Sequence, residues 1–192
     1  TSFDFSMRHL AAALETWPNS IYFFYENKLA LQAALLDSIL ERVLTEETVT
    51  RFLDTTSPWQ VRIRQLALSM FDELSDYEGA GHMMTHYGLT GSNAGIRVFQ
   101  MYIHFGQSIG LSPERAASIL QVSLSLIVMF SDLAAAKKNG NANPKLFENS
   151  ALPVHPDPNI QLAAERILTT TVRERALIGI DLFITAIETE LA

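Results

Sequence analysis

The sequence contains no cysteine, which excludes disulfides and thiolate zinc sites and fits a reducing cytoplasm. Positive charge is also scarce: Lys and Arg number 14 against 21 Asp and Glu, a formal charge of −7. Taken alone this argues against nucleic acid, because neutralising phosphates takes Lys and Arg. The shortage is sharpest at the N-terminus, where Arg8 and Lys28 face Asp4, Glu15 and Glu26. Seven prolines and nine glycines are too few and too clustered for a disordered chain. Thr1 to Asp4 has neither the basic nor the apolar region of a signal peptide. The most apolar run, Ile119 to Ala136, is interrupted by Gln121, Ser123, Ser125, Ser131 and Asp132, so it reads as a buried helix rather than a membrane span. No nucleophile elbow, P-loop, dinucleotide fingerprint or HExxH motif appears. The chain is therefore not expected to be an enzyme, and neither catalytic residues nor a cofactor are assigned.

What is present is helix. Apolar residues recur with helical spacing, and the expected helices lie near 6–14, 18–25, 27–44, 46–54, 58–77, 79–87, 93–109, 113–137 and 159–190. Three starts carry a capping side chain followed by proline: Ser57-Pro58, Ser112-Pro113-Glu114 and Asp157-Pro158. The oxygen caps free amides, and proline at the first helical position gives up an N–H that has no partner there. Ser92 is a plausible cap for the helix from 93, which Gly110 stops. Gly88, Gly91 and Ser92 mark the break before it. The long loop is Lys138 to Pro158, with a helical turn expected at Lys145 to Asn149.

The segment Phe5 to Leu36 is the most informative. It reads as a helix, a tight turn, a short aromatic helix, then a long helix opened by Lys28, the layout of a helix-turn-helix. Leu10, Ala11 and Leu14 line one face of the first helix, and Ala11 is small enough for another helix to cross closely. Ile21, Phe24 and Tyr25 are expected on the buried side of the second, leaving Asn19, Ser20 and Tyr22 open. Such amides, hydroxyls and phenols suit base edges and phosphates. Ser6-Met7-Arg8-His9-Leu10-Ala11 and Ile21-Tyr22-Phe23-Phe24-Tyr25-Glu26-Asn27-Lys28-Leu29-Ala30-Leu31 resemble, without a gap, the helix-turn-helix signature of the TetR family of bacterial one-component regulators. The resemblance implies DNA-binding roles for Arg8, Thr16, Trp17, Pro18, Asn19, Ser20, Tyr22 and Lys28. Arg8 would reach a base, often guanine, or a phosphate, Pro18 to Ser20 would sit at the groove floor, and Tyr22 and Lys28 would grip phosphates. Three positions depart from the pattern: Glu15 stands where glycine is usual, Trp17 is unusual in the turn, and Phe24 replaces a His or Tyr. The resemblance also implies a further helix and a basic arm before Thr1. These would resolve the charge conflict, so Thr1 is expected not to be the native start.

The expected architecture is all-α. Residues 1–44 form an incomplete DNA-binding head with a linker helix, and residues 45–192 form an effector-binding and dimerisation domain. Methionines, aromatics and a few polar residues mark an apolar effector pocket: Trp59, Met70, Met83, His86, Tyr87, Phe99, Gln100, Tyr102, His104, Phe105 and Met129. Each equally suits plain core. His82 and His86 are spaced to face one metal, but no metal site is assigned. The helices around 116–136 and 177–187 are apolar on more than one face, so a second copy of the chain is expected to cover one of them. The interface residues assigned are Leu120, Leu124, Ile127, Val128, Leu177, Ile180, Ile184 and Ile187. The resulting expectation is a homodimeric repressor of a palindromic double-stranded operator, released by a small apolar or aromatic effector and not membrane-bound. The alternative is a helical ligand- or protein-binding dimer without DNA-binding activity.

Overall fold

The structure, a computed structural model, describes residues 5–87, 91–140 and 156–192, excluding the side chains of Tyr87 and Leu168. The expected helical turn at 145–149 and the break at Gly88 lie outside the described residues. Among those described, the chain forms helices and no β-strand. They are α1 (Met7–Ala13), α2 (Pro18–Phe24), α3 (Lys28–Val43), α4 (Glu46–Leu53), α5 (Trp59–Leu74), α6 (Ala80–Tyr87), α7 (Asn93–Ser108), α8 (Pro113–Lys138), α9 (Pro158–Thr169) and α10 (Val172–Leu191).

Side-chain caps set most of the starts. Ser6, Asn27, Thr45, Ser92, Ser112 and Asp157 each accept a hydrogen bond from a backbone N–H of the first turn that follows. Two starts differ from the sequence reading. At α5 it is Pro58, not Ser57, that occupies the capping position, and no side chain caps the helix. The turn before it is held by the Asp54 carboxylate, which accepts from the Thr56 N–H at 2.9 Å and the Thr56 hydroxyl at 2.6 Å. These hydrogen bonds hold the Asp54 carboxyl below its usual range. The expected single helix over 159–190 is two helices, broken at Thr170 and Thr171. Thr171 starts a capping box: its hydroxyl accepts from the Glu174 N–H at 3.2 Å, and the Glu174 carboxylate accepts from the Thr171 N–H at 2.7 Å.

The helices build two separate cores. A small one unites Met7 and Ala11 of α1, Ile21 of α2 and Leu31 of α3, with Phe5, Leu10 and Tyr25 packed partly against it. A large one runs from Leu36 of α3 to Ile187 of α10. α3 belongs to both: Leu31 faces the small core, while Leu36, Ile39, Leu40 and Val43 face the large one.

α8 is the central element, packed by α5, α6, α7 and α10. Among the described helices it alone is long and apolar enough to cross a membrane, with a mean hydropathy of 1.8 over its most apolar window. Two glycines let neighbours approach it closely. A Cβ on Gly106 of α7 would lie 2.5 Å from the Ala116 methyl, and one on Gly81 of α6 would lie 2.8 Å from the Val128 carbonyl oxygen. α6 is further held by Asp132, whose carboxylate accepts from the Gly81 N–H at 3.0 Å. Burial raises the pKa of that carboxyl despite the hydrogen bond.

Candidate nucleic-acid interface and ligand cavity

The N-terminal unit has helix-turn-helix geometry, and its turn shows how the sequence achieves it. The Thr16 N–H donates to the Ala11 carbonyl at 2.9 Å and the Glu15 N–H to the Ala12 carbonyl at 3.1 Å. This paired reverse closure is the Schellman ending, which places the residue after the C-cap in the left-handed region. That residue is Glu15, at φ +51°. A side chain there is strained, which accounts physically for the glycine expected at this position. The chain then reverses into α2, which Pro18 opens.

On α2 only Ile21 is buried. Asn19, Ser20, Tyr22, Phe23 and Phe24 are exposed, as is Trp17 just before the helix. Exposure reaches 80% at Trp17 and 83% at Phe23, values unlike those of any core aromatic. The sequence reading put Phe24 on the buried side, but it is 75% exposed and packs edge-on against Phe23 at 5.2 Å. Phe24 is the last residue of α2. Arg8 is exposed, Thr16 and Pro18 are half-buried, and half-buried Lys28 sets its Nζ 5.2 Å from the centre of the Phe5 ring.

α3 carries this unit into the body. The Asp37 carboxylate accepts from the Ala94 N–H at 2.7 Å, at the start of α7. Arg97 donates to both Glu41 oxygens at 2.7 and 2.9 Å. Arg42 lies 3.5 Å from the Glu73 carboxylate of α5 and over the Tyr77 ring at 4.9 Å. Beside the Asp37 contact, Ala33, Ala34, Gly91, Ser92, Asn93 and Ile96 border an open, polar groove of about 300 Å³.

An internal cavity lies between α5, α7, α8 and α10. Its volume is about 20 Å³, and its lining is almost wholly apolar. That is room for about one water, which needs at least ~10–15 Å³. Its polar groups are the Tyr102 phenol and the Ser123 hydroxyl, 3.3 Å apart. Burial pushes the Tyr102 phenol up to about 12, so it stays protonated and able to donate.

Of the residues assigned to a pocket from the sequence, Met70 and Tyr102 line this cavity. Met83 and Phe105 are buried in the core, with Trp59 and Phe99 packed against it. Phe105 stacks against Phe52 at 5.0 Å and lies under the Arg62 guanidinium at 5.2 Å. His86, Gln100, His104 and Met129 are exposed, and the Tyr87 side chain lies outside the described residues. No group of three or more metal-binding side chains gathers among the described residues.

The residues assigned to a dimer interface also sit differently from expectation. Leu120, Leu124, Ile127, Ile180 and Ile184 line the cavity, Val128 and Ile187 are buried, and Leu177 is half-buried, all within one chain. The large apolar residues that α8 and α10 leave exposed are Val122, Met129, Ile178, Leu182 and, at the end of α10, Leu191. Periodicity identified two greasy helices but not which stripe each turns inward.

This arrangement, a helix-turn-helix head joined by a linker helix to a helical body, matches the fold of solved structures described as TetR-family regulators. A possible TetR family transcriptional regulator from Streptomyces coelicolor A3(2) superposes with a TM-score of 0.78 at 17% identity, covering 96% of this chain and 89% of that one. A TetR from Acinetobacter baumannii AYE in complex with minocycline gives 0.65 at 21% identity, covering 98% and 88%. BioQ with its double-stranded DNA operator gives 0.57 at 17% identity, covering 87% of each chain. The chain matches no protein-family model, and no curated protein matches it.

Proposed function

We propose that the chain is a ligand-responsive transcriptional regulator, a repressor that binds a palindromic operator as a homodimer and is released by a small apolar effector. The observation that carries this reading is a helix-turn-helix whose second helix keeps its outer face open and whose following helix is built into a cavity-bearing body. Neighbours of the same fold hold an operator in one case and minocycline in another. The second copy would cover the exposed stripes of α8 and α10 at Val122, Met129, Ile178 and Leu182. An effector larger than water has to widen the cavity, which displaces α7. That helix carries Tyr102 at the cavity and holds α3 through Ala94 and Arg97. Movement of α3 then changes the spacing of the two heads, which half-sites one helical turn apart constrain to ~34–36 Å. Release requires the effector to bind the widened state more tightly than the closed one.

The alternative, a ligand- or protein-binding dimer without DNA recognition, is favoured by one group of observations: Glu15 in the turn and bare Trp17, Phe23 and Phe24 in a head with little positive charge. Binding of the full-length native protein to the DNA upstream of its own gene, titrated at several salt concentrations, separates the two. The regulator reading expects a sequence-specific complex that weakens steeply with salt. Absence of any specific complex at low salt rejects it.

A further inference from the structure

The outer face of α2 carries a restricted chemistry. Between Arg8 and Lys28 the sequence has no arginine or lysine, so α2 lacks the side chains that contact guanine O6 and N7 in a bidentate fashion. What it offers instead is one primary amide, Asn19, set between two bare aromatics, Trp17 and Phe23. Asn19 and Phe23 are four residues apart and lie opposite the buried Ile21, on the line of the helix that points furthest from the head. Trp17 stands at the N-cap, the end of a recognition helix that meets base edges. Phe24 packs edge-on against Phe23 and limits where that ring can turn.

Each of these groups matches one feature of the major groove. An asparagine amide donates to adenine N7 and accepts from adenine N6, and an apolar side chain packs on the thymine 5-methyl group. Adenine and thymine are the two bases of one pair, and both features lie on its major-groove edge, so the amide and the aromatics both select A·T pairs. The geometry points to a head that reads A·T pairs in the major groove, with Asn19 on adenine and Trp17 and Phe23 on thymine methyl groups. This specificity rests on the regulator reading above. It also gives the bare aromatics a role that low positive charge does not undermine, because methyl packing is an apolar contact that salt screens little.

The test changes the DNA before it changes the protein, so folding is not in question. Duplexes bound by the full-length native protein are selected from a random pool, and affinities for the selected half-site are measured by fluorescence anisotropy. Each thymine is then replaced in turn by deoxyuridine, which removes only the 5-methyl group, and each adenine by 7-deazaadenine, which removes the N7 acceptor. The selected half-sites should be centred on A·T pairs. At the thymines contacted, loss of one buried methyl should weaken binding about threefold to fivefold. Loss of the adenine contact should weaken it about tenfold or more. Trp17→Ala and Phe23→Ala should each lose the deoxyuridine effect at the thymine that side chain contacts and keep it at the other, and Asn19→Ala should ignore the deaza substitution. All three positions are exposed, and unchanged circular dichroism checks that the variants fold. Half-sites with G·C at the contacted positions, or deoxyuridine duplexes bound as tightly as thymine ones, would overturn the inference and leave the regulator reading standing. If no duplex gives a sequence-specific complex at low salt, the regulator reading falls, and this inference falls with it.

Discussion

The head and the body differ in how much of their apolar surface they enclose. In the body, large side chains such as Phe52, Leu74 and Val98 are almost wholly enclosed, and polar residues such as Gln100 and His104 face out. In the head, enclosure is limited to Met7, Ala11, Ile21 and Leu31, while Leu14, Trp17, Phe23, Phe24 and Leu29 are at least half exposed. Small units bury too little surface to be stable alone. The head keeps its shape because α3 is anchored in the body by Leu36, Ile39, Leu40 and Val43. Its remaining apolar surface is available for contact with another molecule.

The largest effect that could break this contrast is loss of body packing. Phe52→Ala should cost about 3–5 kcal/mol, as for other buried aromatics, and lower the urea midpoint of the whole chain. Ile21→Ala in the head should cost about 2–3 kcal/mol and melt only the head. Hydrogen exchange would show α1 and α2 unprotected while α5 and α8 stay protected. If both variants unfold the whole chain in one transition, the two cores are not independent.

A charge on α10 tests which stripe faces inward. Ile180→Asp buries an unpaired carboxylate in the body core and should abolish folding. Leu182→Asp, on the 68% exposed stripe, should keep full helicity and yield monomers in sedimentation. A dimer that survives Leu182→Asp moves the interface elsewhere.

The cavity carries a titration signature of its own. The Tyr102 phenol rises from 10.0 to about 12 on burial. A folded-state pKa above the unfolded value contributes stability that is complete below pH 10 and lost as pH rises through about 12. An alkaline ultraviolet titration should therefore show one late-ionising tyrosine, absent in Tyr102→Phe. An apolar effector that fills the cavity should delay it further.

The smallest effect lies in the turn. Glu15→Gly removes left-handed strain of roughly 1–2 kcal/mol but loosens the unfolded chain. A net gain of about 0.5–1 kcal/mol in head stability is expected. Removing an acid that would face DNA should also tighten operator binding, most visibly at low salt. Unchanged affinity would place Glu15 away from the phosphates.

Much of the fold was legible because helix ends are local. Ser92, Ser112 and Asp157 cap the helices the sequence assigned to them, whereas Ser57 does not. The break at Thr171 was missed although its signal, Thr171 followed by Glu174, is a capping box written in the sequence. The apolar residues on both sides of the break masked it. The site was less legible, because lining is a property of several helices at once. Ser123 and Phe183 reach the cavity only when α8 and α10 are in place, and Trp59 and Phe105 look the same in sequence whether they line a pocket or fill a core. Exposure was likewise invisible: the spacing of Phe24 suits burial, but the head is too small to cover it.

α3 spans both cores without an internal glycine or proline, so it behaves as a stiff lever. Sixteen residues give an arm of ~24 Å at 1.5 Å per residue. A tilt of about 5° at the anchored end then carries the other end by about 2 Å, and two arms moving apart in a dimer by about 4 Å, from the same arithmetic. That is close to the ~3.4 Å rise of one base pair. In the proposed regulator, a cavity opening by little more than a methyl group would thus be geared to an error of a whole base step.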